Sequence, residues 1–299
     1  MYDIIIVGAG PAGLTAGIYS ARANKKVLVL EALSYGGQII NTPSIENYPG
    51  EKNISGFDFA TNLYNQSKEL GVEIIFQKVI DIKNDKIKEV ITNKESFKTK
   101  SIIIATGCEN RKLGLPNEDS LIGKGISYCA TCDGNFYKNK TVAVVGGGNT
   151  AIEDALYLSD IVNKVYLIHR RDSFRAEEKI VNLLKEKTNI EFVLNSNIVK
   201  INGESNLESI EISNGNDNKT LNIDGLFIAI GRIPENENFK NLVDVDENGY
   251  IIAKENCKTN VSGIFVAGDN RTKEVRQLVT ATSDGAIAAI EAVKYLNSI

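Results

Sequence analysis

The same local pattern occurs twice in this chain, and it leaves few folds open. Residues 2–31 read as a strand (DIIIVG), a turn (GAGPAG), a small-residue helix (LTAGIYSARA) and a second strand (KVLVLE). Residues 140–171 repeat that order with TVAVVG, GGGNTA, IEDALYLS and KVYLIHR. Each apolar run is short and flanked by glycine, which favours a buried strand over a helix. Strand, turn, helix and strand make a βαβ unit with parallel, buried strands. β-Rich stretches follow both units: VEIIFQKVIDIKND, KIKEVITN and ESFKTKSIIIATG after the first, then NIEFVLN, LESIEIS and KTLNIDGLFIAIG after the second. Their alternation and polar turns predict hairpins or a meander.

The turns themselves point to nucleotides. Gly8, Gly10 and Gly13 follow G-x-G-x-x-G between a strand and a helix. In that pattern the first glycine permits a tight turn, the second lets a pyrophosphate approach the backbone, and the third lets helix and strand pack closely. The diphosphate then meets free N–H groups at a helix N-terminus. Glu31 ends the second strand, where a carboxylate accepts hydrogen bonds from a ribose diol. The second turn has Gly146, Gly148 and then Ala151, an accepted variant, but its second strand ends in His169, Arg170 and Arg171, with Arg175 close behind. Guanidinium groups there bind a 2′-phosphate, which a carboxylate would repel. The two units therefore expect different nucleotides, an unphosphorylated ribose in the first and NADPH in the second. The expected fold class is α/β: two Rossmann-like nucleotide-binding domains, each a parallel sheet with helices plus an antiparallel β-meander.

Composition narrows the function. The chain has 299 residues, 42% of them hydrophobic and 24% charged, with a net charge of −4. That balance suits a globular protein of about two domains and offers no general attraction to nucleic acid or anionic lipid. No basic leader precedes the first apolar run, and no apolar stretch reaches the roughly 20 residues of a spanning helix. A cytoplasmic location without a membrane partner is expected. Four cysteines do not make a disulfide scaffold. Cys129 and Cys132 form C-x-x-C, the spacing of a reversible disulfide with a lowered thiol pKa. A zinc half-site is the competing reading, but a structural zinc needs four ligands. The single histidine, His169, already stands beside the phosphate site, so no metal is expected. Thiol–disulfide exchange needs a proton donor for the leaving thiolate, and the adjacent Asp133 is the best placed. Cys108 and Cys257 read as ordinary small residues.

CATCDG at 129–134, the two glycine turns, HRRDSFRAE at 169–177 and GIFVAGD at 263–269 together resemble the low-molecular-weight bacterial thioredoxin reductases, flavoproteins among the pyridine nucleotide–disulfide oxidoreductases. The resemblance covers almost the whole chain, in order. It implies FAD at the first site and NADPH at the second. It also implies a discontinuous FAD domain (1–112 and 242–299) with an inserted NADPH domain (113–241) that carries the C-x-x-C. By this likeness Gly8, Gly10, Pro11, Ala12, Gly13, Glu31, Gly36, Gly37, Gln38, Asn47, Gly268, Asp269, Arg276 and Gln277 serve FAD. Gly146, Gly148, Asn149, Thr150, Ala151, His169, Arg170, Arg171 and Arg175 serve NADPH. Cys132 would face the flavin, Cys129 would attack the thioredoxin disulfide, and Asp133 would carry the proton. A homodimer is likewise implied. Tyr48 stands where the family often has tryptophan, and Cys108 where alanine or serine is commoner.

Other readings make different demands. A ferredoxin-dependent relative would lack the basic cluster at 169–175. The flavoprotein module of a peroxiredoxin system usually carries a further N-terminal redox domain. A non-enzymatic redox sensor would bind nucleotides and signal through Cys129 and Cys132 without needing a hydride donor.

Overall fold

Both glycine-containing segments fold as the βαβ units their patterns require. The computed structural model describes residues 1–215 and 217–299. From the N-terminus, β1 (Tyr2–Val7), α1 (Pro11–Arg22) and β2 (Val27–Glu31) lead to α2 (Gly56–Glu69), β3 (Glu73–Phe76), β4 (Val79–Lys83), β5 (Lys88–Thr92) and β6 (Ser96–Ile104). There follow β7 (Cys108–Asn110), β8 (Ile126–Ser127), α3 (Ala130–Asp133), β9 (Thr141–Gly146), α4 (Asn149–Ser159), β10 (Lys164–Ile168), α5 (Glu178–Lys185) and β11 (Ile190–Val193). The chain ends with β12 (Asn197–Asn202), β13 (Ser209–Ser213), β14 (Asn218–Asn222), β15 (Gly225–Ala229), β16 (Arg232–Pro234), β17 (Ile264–Val266) and α6 (Leu278–Leu296). Among the described residues, no helix is long and apolar enough to cross a membrane.

Two compact units result, one of Met1–Glu109 with Ile233–Ile299 and one of Asn110–Arg232. In the first, the sheet order is β3-β2-β1-β6-β5-β4, with β17 also on β6. Strand β6 does two jobs. Its first half pairs antiparallel with β5, Ser96 opposite Ile91, and its second half pairs parallel with β17, Ile102 opposite Ile264. Both sheet faces are covered, so β1 reads as a continuous apolar run: Ile4 and Ile6 enter one core cluster, Ile5 and Val7 the other. Each such fully buried side chain contributes roughly 1.5–3 kcal/mol. In the second unit the order is β11-β10-β9-β15-β8, all parallel. The antiparallel strands β12-β13-β14 form a sheet of their own.

Two expectations need correction. The segments EIIF and IEFV, assigned to the meanders, are the parallel edge strands β3 and β11, paired with β2 and β10. Helices α2 and α5 precede them, and a helical crossover returns the chain parallel to the strand it left. The second domain boundary also falls earlier than 241/242, at Arg232–Ile233. Residues 233–241 are held by the first unit: Phe239 is buried in the cluster of Ile5 and Ile104. Asn236 Nδ2 donates to the carbonyls of Gly249 (2.9 Å) and Asn270 (2.7 Å).

Candidate active site

In both turns the first glycine is closed by packing and the middle one is open; the third position is closed in the first turn and is an alanine in the second. A Cβ on Gly8 (φ +108°) would lie 2.3 Å from the Ala105 carbonyl oxygen, and one on Gly13 1.9 Å from that of Gly8. One on Gly10 would meet nothing nearer than Gly37 Cα at 4.0 Å. In the second turn a Cβ on Gly146 (φ +155°) would lie 2.3 Å from the Ala229 oxygen, whereas Gly148 faces open space. Gly10 and Gly148 are the N-caps of α1 and α4, and no side chain caps either helix. First-turn N–H groups therefore face a cradle with room for a diphosphate, which makes both sites fit a dinucleotide.

Around the first cradle the predicted residues converge. Glu31 accepts the N–H of Ala9 (2.8 Å) and that of Leu33 (2.9 Å). Gly36 donates to the Ala9 carbonyl at 2.8 Å, which brings the Gly36–Gly37–Gln38 segment to the turn. Gly268 (φ +91°) lies against Ala12, where a Cβ would come to 2.9 Å from its Cβ. Asn47 Nδ2 donates to Gln277 Oε1 (3.3 Å), joining positions 230 residues apart. Arg276 reaches the Asp269 carbonyl through Nε (3.3 Å) and lies over the Tyr250 ring. The Cys108 thiol donates to that same carbonyl at 2.7 Å, which ties the start of β7 to the loop that carries Asp269. Cys257 is fully buried, and burial first, then Asp284, pushes its thiol up to about 12. Tyr48 packs edge-on against Phe59.

The second cradle is tied to the basic cluster through the backbone. Arg175 N donates to the Gly147 carbonyl at 2.7 Å, and Glu177 N to Asn149 Oδ1 at 3.1 Å. Arg170, Arg171 and Arg175 are exposed, as an external phosphate requires. His169 is different. Its ring is buried against Gly147, where any Cβ would come within 2.1 Å of it, and Nε2 lies 3.1 Å from the Ser173 carbonyl. The ring also stacks on Phe174. His169 thus supports the turn and the arginine loop from beneath. Burial above all, then the three arginines, lowers its pKa below 6.5, against the Ser173 hydrogen bond. The folded state therefore resists protonation of His169, and its stability falls as pH drops below the unfolded value. As the only histidine it gives one set of imidazole resonances; an NMR titration midpoint below 6.5 is expected, and one above would contradict this burial.

Cys129 and Cys132 are joined in a disulfide across the short helix α3. Ser127, which sequence reading passed over, organises the adjacent acid. Its hydroxyl donates to Asp133 Oδ2 at 2.6 Å and accepts the Cys129 N–H at 3.0 Å. Asp133 Oδ1 is buried without a hydrogen-bond partner. Burial raises the Asp133 pKa, against the lowering effect of the Ser127 bond, so the protonated carboxyl persists to higher pH than for an ordinary aspartate. Tyr128, also unremarked in the sequence, donates to the buried Glu118 (2.8 Å), whose carboxylate also accepts the N–H groups of Leu113 and Gly114. No short-range motif signals either partner.

Comparison with known proteins agrees with this arrangement. Residues 2–285 match the pyridine nucleotide-disulphide oxidoreductase family. The chain is 42% identical to a thioredoxin reductase of Peptoclostridium acidaminophilum over 308 aligned positions, covering 100% of this chain and 98% of that one. It is 40% identical to a thioredoxin reductase of Bacillus subtilis, covering 100% and 96%. The crystal structure of a thioredoxin reductase from Streptococcus pyogenes superposes with a TM-score of 0.96 at 39% identity, covering 100% of this chain and 99% of that one.

Proposed function

Because the chain belongs to the pyridine nucleotide-disulphide oxidoreductase family, and within it to the thioredoxin reductases, we propose that it binds FAD at the Gly8–Gly13 cradle and NADPH at the Gly146–Ala151 cradle, and uses the Cys129–Cys132 disulfide to reduce thioredoxin. The observation that carries this reading is the C-x-x-C disulfide beside the half-buried Asp133, whose Oδ2 accepts the Ser127 hydroxyl and whose Oδ1 is shut away from solvent, in the same unit as a cradle edged by three exposed arginines. FAD, when bound, supplies the two-electron relay between nicotinamide and disulfide.

The chain's own residues do the rest. Arg170, Arg171 and Arg175 select the 2′-phosphate, while Gly148 lets the diphosphate reach the N-terminus of α4. Two electrons and two protons convert the Cys129–Cys132 disulfide to a dithiol. Cys129 passes its proton to the Asp133 carboxylate and attacks a thioredoxin sulfur as the thiolate, forming a mixed disulfide and releasing one thioredoxin thiolate, which takes that proton from Asp133. Cys132 attacks Cys129, which reforms the internal disulfide and frees the second thioredoxin thiol. A carboxyl whose pKa is raised by burial is suited to this exchange of protons.

The test is spectroscopic. NADPH should bleach the flavin absorbance of the purified holoprotein, and thioredoxin with a dye disulfide should then turn over. Bleaching by reduced ferredoxin but not NADPH would overturn the nucleotide assignment. Asp133→Asn, which keeps the Ser127 hydrogen bond but holds no acidic proton, should leave bleaching intact and slow thioredoxin reduction about 10²-fold. Undiminished turnover in that variant would place the proton donor elsewhere.

A further inference from the structure

Asp284, in helix α6, is 3% exposed, and two cations close over its carboxylate. Arg271 donates to both oxygens, through Nη2 to Oδ1 and Nε to Oδ2, each at 2.8 Å. Lys273 adds a bond to Oδ2 at 2.9 Å, and its side chain is 7% exposed. The Gly268 N–H also reaches Oδ2, at 3.1 Å. Burial works against the Asp284 charge, but the hydrogen bonds from Arg271 and Lys273 outweigh it and hold the carboxyl below its ordinary pKa. The buried Cys257 thiol and the exposed Glu255 are the other acidic groups acting on Arg271.

One guanidinium already satisfies one carboxylate, and burying a second cation carries a desolvation penalty that needs another reason. The connectivity supplies one. Both cations, and Gly268, belong to the single loop that leads from β17 to α6. Asp284 therefore clips this loop to the helix at three points. Its neighbour Gly285 lies against the first cradle's helix, where a Cβ would come 2.2 Å from the Ala12 carbonyl oxygen. From Arg271 the chain of contacts continues outward: Arg276 Nη2 donates to the Arg271 carbonyl (3.2 Å) and its Nε to that of Asp269 (3.3 Å).

We propose that Asp284, with Arg271 and Lys273 closed over it, is the positioning residue of the Gly268–Gln277 loop, setting where Asp269, Arg276 and Gln277 stand relative to the Gly8–Gly13 turn, and that FAD affinity depends on it. The proposal rests on the FAD reading of that loop. Asp284 acts through Gly268 and Arg271, so its loss shows first in cofactor retention.

Asp284→Asn is nearly isosteric and can still accept the Gly268 N–H, but it leaves two buried cations without their counter-charge. Titrating the apoprotein with FAD and following flavin fluorescence should show binding weakened about 10²-fold, as expected for an opened buried ion cluster. Adding Lys273→Met removes the surplus cation and should restore about tenfold of that loss, which a merely structural defect would not do. NADP⁺ binding to the other unit should be unchanged, and a cooperative thermal transition of the apoprotein reports that the unit holding Asp284 is folded. An Asp284→Asn protein with a lower apoprotein melting temperature but unaltered FAD affinity would overturn the proposal. Should that variant fail to fold, Arg271→Gln decides: it removes the two-point half of the clip while Lys273 keeps the buried carboxylate paired, and an unchanged FAD dissociation rate in it refutes the role. A wild-type apoprotein that takes up no FAD would instead refute the FAD reading itself.

Discussion

Replacing Cys132 by serine should leave reduction of the flavin by NADPH at its normal rate and lower thioredoxin turnover by at least about 10³-fold. A serine hydroxyl cannot form the disulfide that accepts the electrons, so the route ends at the flavin. The cysteines are three positions apart, and so short a loop contributes only about 2 kcal/mol of chain-entropy stabilisation. The half-buried position accepts the smaller side chain, so the variant should fold. Its remaining Cys129 thiol can still attack, but the mixed disulfide cannot be resolved. With a thioredoxin lacking its own resolving cysteine and activated at the other as an aromatic disulfide, Cys132→Ser should accumulate a covalent complex visible by mass. If Cys129→Ser traps that complex and Cys132→Ser does not, the roles of the two thiols are reversed.

The second large effect is on nucleotide choice. Arg170→Ala with Arg171→Ala removes two charge-assisted contacts of about 1.5–3 kcal/mol each, so kcat/KM for NADPH should fall by about 10²–10⁴. NADH has no 2′-phosphate and should lose little. Both side chains are exposed, and such substitutions usually change stability by about 0.5 kcal/mol or less, which separates recognition from folding. Arg175 is left in place because its backbone N–H holds the Gly147 carbonyl. The NADPH-to-NADH ratio of kcat/KM is the readout. Equal losses for both nucleotides would mean that the cluster is only a solvated basic turn. Rising salt should weaken NADPH binding in the parent and matter much less in the variant, because exposed charge pairs are screened.

The clearest sequence signals were the local ones. Gly8, Gly13 and Gly146 are legible because their backbones admit no Cβ, and Gly10 and Gly148 because the space above them stays open. Such requirements act over a few residues and leave a fixed spacing. The C-x-x-C, with Asp133 next to it, is legible for the same reason. Strands β3 and β11 escape the sequence pattern because alternation cannot tell an edge strand of a parallel sheet from a hairpin arm; the crossover helix before each decides its direction. Its position beside two arginines puts His169 among the expected phosphate ligands, yet its ring is turned under Gly147.

By itself, then, the sequence determined two parallel βαβ units and a redox pair, and it supplied the charge difference on which the proposed nucleotide preferences rest, since each follows from backbone geometry or charge within one short segment. Only the tertiary structure decided which partners complete them. The Ser127 hydroxyl on Asp133, Asn47 on Gln277, the return of residues 233–241 to the first unit and the Asp284 clip all depend on chain segments meeting in space. Such meetings are set by the packing of sheets and helices, and a polar side chain bears no local mark of the buried group that it will have to satisfy.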